Sequence, residues 1–235
     1  MQTVQTIPLI NLALSVIPAG VVIWILYSWS LGGRTAVYSV FRMLAQLLLI
    51  GYVLTWIFES KQAGVIMLVL ALMLLVSSWI ALRPVASNHR RLYLKVLFAI
   101  SLGGISTLAL ITGAVLDLNP WFAPHMMIPL AGMIFANSMN TVSVAAERFA
   151  SETDNSVPYD KARNLAMNAA MIPVINSMFA VGLVSLPGMM TGQILSGVSP
   201  LIAVRYQIMV MCMIFGSAGI SAACYLWQMR KCSGS

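Results

Sequence analysis

Charge is what this chain has least of. Asp, Glu, Lys and Arg make up 8% of its 235 residues, while 60% are hydrophobic. Soluble globular domains carry roughly 25% charged residues, so a soluble domain is excluded and a polytopic membrane protein is expected. There is no G-x-x-x-x-G-K-[ST] phosphate loop and no polar domain to house one. If ATP drives this protein, the ATPase is another chain, and no cofactor is expected in this one. Cysteine is scarce and odd in number: Cys212, Cys224 and Cys232 crowd the C-terminus and read as small buried hydrophobes, not as a disulfide framework or metal site. The two histidines, His89 and His125, stand apart, and no His, Cys, Asp or Glu pair has the spacing of a firm divalent site. No Cys-His or Ser-His-Asp set and no acidic dyad falls within an apolar run, so no catalytic residues are assigned and an enzyme is not expected. The formal net charge of +7 does not point to nucleic acid, because the basic residues sit in short loops between apolar runs, as membrane topology demands. No positive segment precedes the first apolar stretch, so no cleaved signal peptide is expected.

What the chain has in quantity is long apolar runs. About 20 residues cross a bilayer, and on that rule seven spans are expected, at 7–29, 40–58, 63–82, 94–116, 126–145, 169–190 and 202–229. Pro18 and Gly20 predict a kink in the first. Of the 13 basic residues, 11 fall on one side of this arrangement; only Lys61 and Arg205 fall on the other. The positive-inside rule then places the N-terminus outside and the C-terminus in the cytoplasm. The longest polar segment, 146–168, becomes a cytoplasmic connector. It holds Glu147, Arg148, Glu152, Asp154, Asp160, Lys161 and Arg163, with Ser156 and Pro158 interrupting any single helix. A short amphipathic helix is expected over 159–168. The segment reads either as a solvated connector or as a surface for a soluble partner, with Glu152, Asp160, Lys161 and Arg163 as the docking candidates. Ser233-Gly234-Ser235 reads as a cloning remnant outside the domain.

The most unusual stretch is 181–206, VGLVSLPGMMTGQILSGVSPLIAVRY. Pro187-Gly188, Gly192, Gly197 and Pro200 interrupt an apolar run. Broken backbone at membrane depth must be satisfied by protein or water. The segment therefore reads as a pathway or gate element or, equally, as a short external loop. Its candidates are Pro187, Gly188, Met189, Met190 and Gln193. In the fifth span, Asn137, Asn140 and Thr141 follow i, i+3, i+4 and share a helix face; Asn176 and Ser177 lie in the sixth. Together they read as a polar seam along a pathway, or as hydrogen bonds that hold the helices together. Met178, Met189, Met190, Met209 and Met213 gather around the broken stretch. Thioethers suit soft ions, but adaptable apolar filling accounts for them too, and no metal site is assigned. Gly103, Gly104, Ser106 and Thr107 in the fourth span, and Gly216, Ser217, Gly219 and Ser221 in the seventh, read as packing surfaces.

Two strings, AGMIFANSMNTVSVAAERF (131–149) and VGLVSLPGMMTGQILSGVSPLIAVRYQIMVM (181–211), are specific enough to compare. They resemble the bacterial iron-export, Fet-type ABC permease family, which includes plant aluminium-sensitivity membrane proteins. Arg42 with Gln46-Leu47 and Gly51-Tyr52-Val53-Leu54 resembles the family's early motif, as does 128–133, IPLAGM. The resemblance implies a single transmembrane permease domain over 1–232, in a bacterial inner membrane, that dimerises and works with a separate ABC ATPase which binds the ATP. It implies export of iron or a related metal; a plant member is linked to a sugar nucleotide, so the substrate does not carry over cleanly. The chain departs from the family at 147–168. That connector is too short for the Leu-Ala-Leu-Gly-Ala-like motif that resembles an ATPase-docking loop, so docking is made differently or the residues are absent from this sequence. The competing readings are an ATP-independent channel or secondary carrier, and a non-transporting membrane scaffold. A carrier usually places ionisable groups at mid-membrane, and none is found deep in the spans.

Overall fold

A computed structural model describes residues 8–59, 62–85 and 89–230, with the side chains at 9, 55, 56, 58, 59 and 89–91 excepted. Lys61, Lys231, Cys232 and the Ser-Gly-Ser tail lie outside the described residues. The chain divides into two units, Met1–Lys61 and Gln62–Ser235. The fold is all-α, and no strand is formed among the described residues. Among the described residues, six helical stretches are long and apolar enough to cross a membrane. The protein is a multi-pass membrane protein.

In the first unit, α1 (Leu9–Leu14) and α2 (Ile17–Ser28) form one interrupted span. Pro18, in the first turn of α2, has no N–H to give the Leu14 carbonyl and crowds it, so the chain breaks there. This is the expected kink. Ser15 Oγ donates to Leu12 O at 2.7 Å, a carbonyl that also accepts the Ser15 N–H at 3.1 Å. After a turn through Gly32 (φ +80°), α3 (Gly33–Glu59) follows. A Cβ on Gly33 would sit 2.7 Å from Tyr27 Cγ, so only glycine lets α3 start against that ring.

The second unit holds α4 (Ala63–Ala81), α5 (His89–Leu110), α6 (Pro124–Asp154), α7 (Tyr159–Ala180), α8 (Gly188–Leu195) and α9 (Pro200–Met229). A single π turn, Ile111–Val115, ends α5. Helix α9 is central and packs most extensively on α5 and α6. The α5–α9 contact follows from the small residues read in the sequence. A Cβ on Gly103 would come 2.8 Å from both Ser217 O and Ser221 N and would also strike Ser221 Oγ, so α5 meets the α9 backbone closely there. Buried hydroxyls beside this contact mostly bond within their own helix: Thr107 Oγ1 donates to Gly103 O at 2.7 Å and Ser217 Oγ to Ile214 O at 3.2 Å. This satisfies those two without water, whereas Ser221 Oγ at the same contact has no partner.

Two expectations are corrected. Residues 146–168 are not a loop. Helix α6 runs on to Asp154, because Ala145, Ala146 and Phe149 continue its buried face and Arg148 pairs with Glu152 one turn on. Ser156 (φ +61°) and Pro158 then turn the chain, leaving only 155–158 between helices. The expected helix at 159–168 forms, as the first half of α7. The expected span 169–190 is not continuous, so six helices among the described residues, not seven, are long and apolar enough to cross. Helix α7 has 22 residues, but Asp160, Lys161, Arg163, Asn164 and Asn168 make its first half polar. It ends at Ala180, whose carbonyl accepts from the N–H groups of Leu183, Val184 and Ser185. Gly182 (φ +84°) reverses the chain there.

Candidate functional site

The broken stretch is built from satisfied pieces. Gly182 N–H donates to Ser185 O at 3.0 Å, and Pro187 starts α8 with φ −61°. Thr191 Oγ1 returns to Pro187 O at 3.1 Å. Helix α8 closes at Ser196, Gly197 (φ +90°) turns the chain, and Pro200 opens α9. Residues 191–195 are therefore helix, not the external loop expected at 191–201. The segment packs against α9.

Three cavities lie among α6, α7, α9 and this segment, which lines the second and the third. The first, about 150 Å³, lies between α6 and α7 and is lined by Asn137, Asn140, Thr141, Ala170, Pro173 and Ser177, among others. The second, about 340 Å³, shares Asn137 and Ser177 with it and adds Met133, Ser185, Pro187, Gly188, Met189, Gln207 and Met211. The third, about 330 Å³, shares Val181, Gln207 and Met211 with the second and adds Met178, Met190 and Cys212. Shared walls link the three in series from Asn140 to Cys212.

Hydrogen bonds orient the polar lining. Asn137 Nδ2 donates to Met133 O at 2.8 Å, which commits its amide nitrogen to the helix. Thr141 Oγ1 donates to Asn137 O at 2.9 Å and Ser177 Oγ to Val174 O at 2.7 Å. Pro173 has no N–H to return to the Ala169 carbonyl, so α7 carries an open acceptor beside the first cavity. Gln207 is 7% exposed, and its Oε1 has no hydrogen-bond partner. It is the wall common to the second and third cavities. A buried acceptor left unpaired costs about 1–3 kcal/mol, so its retention in an apolar helix calls for a reason.

The predicted site residues divide accordingly. Asn137, Asn140, Thr141, Pro187, Gly188 and Met189 line the first two cavities, and Met190 lines the third. Asn176 does not line any of the three; its exposed side chain points away, and its neighbour Ser177 takes the place instead. Gln193 is half-buried in α8 outside the three linings, with its Oε1 also unpaired. Gln207 and Met211 were not predicted. A lone glutamine in an apolar run is itself a signal, since intramembrane polar groups are costly. Of the docking candidates, Glu152 pairs with Arg148 at 2.5 Å. Arg163 lies over the Tyr159 ring at 5.7 Å and meets Asp160 at 3.3 Å. Asp160 and Lys161 are exposed. All four flank the α6–α7 turn.

An all-α multi-pass membrane protein with a polar, uncharged cavity series beside a broken helix defines the class. The chain belongs to the membrane protein family described as uncharacterised protein family UPF0014, whose profile matches residues 9–159 and 154–232, two stretches that meet at the α6–α7 turn. It is 36% identical over 190 residues to UPF0014 membrane protein slr1647 of Synechocystis sp., covering 74% of this chain and 73% of the relative. It is 35% identical over 210 residues to the probable iron export permease protein FetB of Escherichia coli, covering 82% and 80%. Protein ALUMINUM SENSITIVE 3 of Arabidopsis thaliana is 32% identical over 225 residues, covering 89% and 81%. No solved structure matches the chain.

Proposed function

We propose that this chain is the permease subunit of an ABC transporter that exports iron or a related metal, driven by a separate ATPase. One observation carries the reading: 35% identity to a protein named as a probable iron export permease, over four-fifths of both chains. The cavity series supplies the path. Its lining has no carboxylate, imidazole or amine, so substrate binds weakly enough to leave. That lining also disfavours a proton-coupled carrier, which needs a titratable relay. Two copies of the chain form the membrane core. The α6–α7 turn faces the cytoplasm and meets the ATPase through Asp160, Lys161 and Arg148, which project outward. The four-residue turn leaves no room for a separate docking motif, so the contact is made by the helix ends themselves.

The test is affinity purification of the chain from native membranes, followed by reconstitution with whatever ATPase accompanies it. ATP-dependent iron flux is expected, reduced about tenfold or more by Asn137→Leu, as loss of a buried polar contact of 1.4 kcal/mol or above would give. Recovery of the chain with no ATPase, and flux indifferent to ATP, would remove the reading.

A further inference from the structure

The second and third cavities meet at Gln207 and Met211. Around that junction stand Met133 and Met189 on one side and Met178 and Met190 on the other. Gln207 Oε1, buried and without a partner, lies in the wall between them. The soft or unpartnered lone-pair donors on the residues lining the two cavities are the thioether sulfurs, the Cys212 sulfur and the Gln207 amide oxygen. None carries charge. Filler methionines would explain the sulfurs but not a buried, unpartnered acceptor on a residue that lines both cavities.

We propose that this junction binds a soft monovalent cation, Cu(I) or Ag(I), through the thioethers of Met189 and Met211 and the carbonyl oxygen of Gln207, with Met133, Met178 and Met190 as alternates along the path. Thioether ligands select Cu(I) over hard divalent ions. A neutral donor set suits a single positive charge, because no buried anion is left behind when the ion departs. Among the described residues, no three His, Cys, Asp or Glu side chains come together to hold a harder ion. The site goes beyond the transport reading above, and it is measured on the chain alone.

The full chain in lipid nanodiscs is titrated anaerobically with Cu(I) against a chromogenic Cu(I) chelator, and separately with Ag(I), Fe(II) and Mn(II). Saturable binding of Cu(I) and Ag(I) is expected, with Fe(II) and Mn(II) at least about a hundredfold weaker. Met189→Leu with Met211→Leu, near-isosteric changes that keep the fold, should weaken Cu(I) binding about tenfold or more. Gln207→Leu should weaken it less. Met209→Leu should change nothing, because Met209 packs on the core and lines none of these cavities. Cys212→Ala keeps the binding if thioethers hold the ion. Failure to compete with the chelator, equal binding by the double Met variant, or loss on Cys212→Ala alone would each overturn the site. ATP-driven iron flux with no Cu(I) binding would overturn this site and leave the transport reading standing.

Discussion

The two ends of the second unit are built on opposite principles. At the end holding the α6–α7 turn, side chains tie the helices together. Tyr159 Oη donates to Leu226 O at 2.9 Å, Lys95 Nζ to Gln228 O at 3.3 Å, and Gln228 Nε2 back to Lys95 O at 3.2 Å. Tyr93 Oη reaches Leu75 O at 3.2 Å. The last carbonyls of α9 thus receive donors from α5 and α7, where a helix C-terminus needs them. Phe149 and Tyr159 add an edge-on ring contact at 6.0 Å. At the other end the same helices separate around cavities and leave Gln207 Oε1 unpaired. A further void of about 390 Å³, apolar and lined by Leu70, Leu108 and Phe135 among others, opens there between α4, α5 and α6. One end spends its polar groups on tying helices to one another; the other turns most of them back onto their own helices around the cavities. That division suits a protein that must flex at one end while staying joined at the other.

Substitutions can break this contrast from either side. The largest effect is expected at Gly103, where α5 and α9 touch. Gly103→Val should cost about 1–3 kcal/mol or more by overpacking, read as a fall in the thermal unfolding midpoint in detergent, because the α9 backbone as well as Ser221 Oγ already occupies the space. Gln207→Leu tests the hollow end and should move the other way. Removing an unpaired buried acceptor should raise stability by about 1–2 kcal/mol while lowering flux, the trade-off typical of a functional position. Tyr159→Phe removes one tie and should cost about 0.5–1.5 kcal/mol, with cavity-dependent binding unchanged. Arg148→Ala loses only a partly exposed pair, and a change below about 1 kcal/mol is expected. A reversed order, with Arg148→Ala outweighing Gly103→Val, would break the picture of a bundle held by backbone contact.

Much of this contrast was readable from residue spacing. The i, i+3, i+4 pattern put Asn137, Asn140 and Thr141 on one face, and they share one cavity. The Gly-Ser strings of α5 and α9 marked their contact. Orientation around a helix axis was harder to read. Asn176 and Ser177 are one position apart, which is about 100° of rotation, and only Ser177 faces the cavity. Of the five methionines gathered around the broken stretch, Met209 and Met213 turn to the core; Met211, half a turn away, lines the void. Helix length also misled. Hydropathy ran straight through 169–190, while Ala180 and Gly182 end the helix by local hydrogen bonding that an average over the window does not register. The run 146–168 is rich in charge, but Ala146 and Phe149 within it extend the buried face of Ala145 and carry the helix on.

The claim that the linked cavities are the path is tested most directly at Ser177, the residue shared by the first two. In a background with Cys212, Cys224 and Cys232 replaced by alanine, Ser177→Cys is treated with a water-soluble methanethiosulfonate, and flux is measured in the reconstituted complex. The thiol should react, substrate should slow the reaction, and flux should fall to background. Complete labelling with flux unchanged would contradict the account.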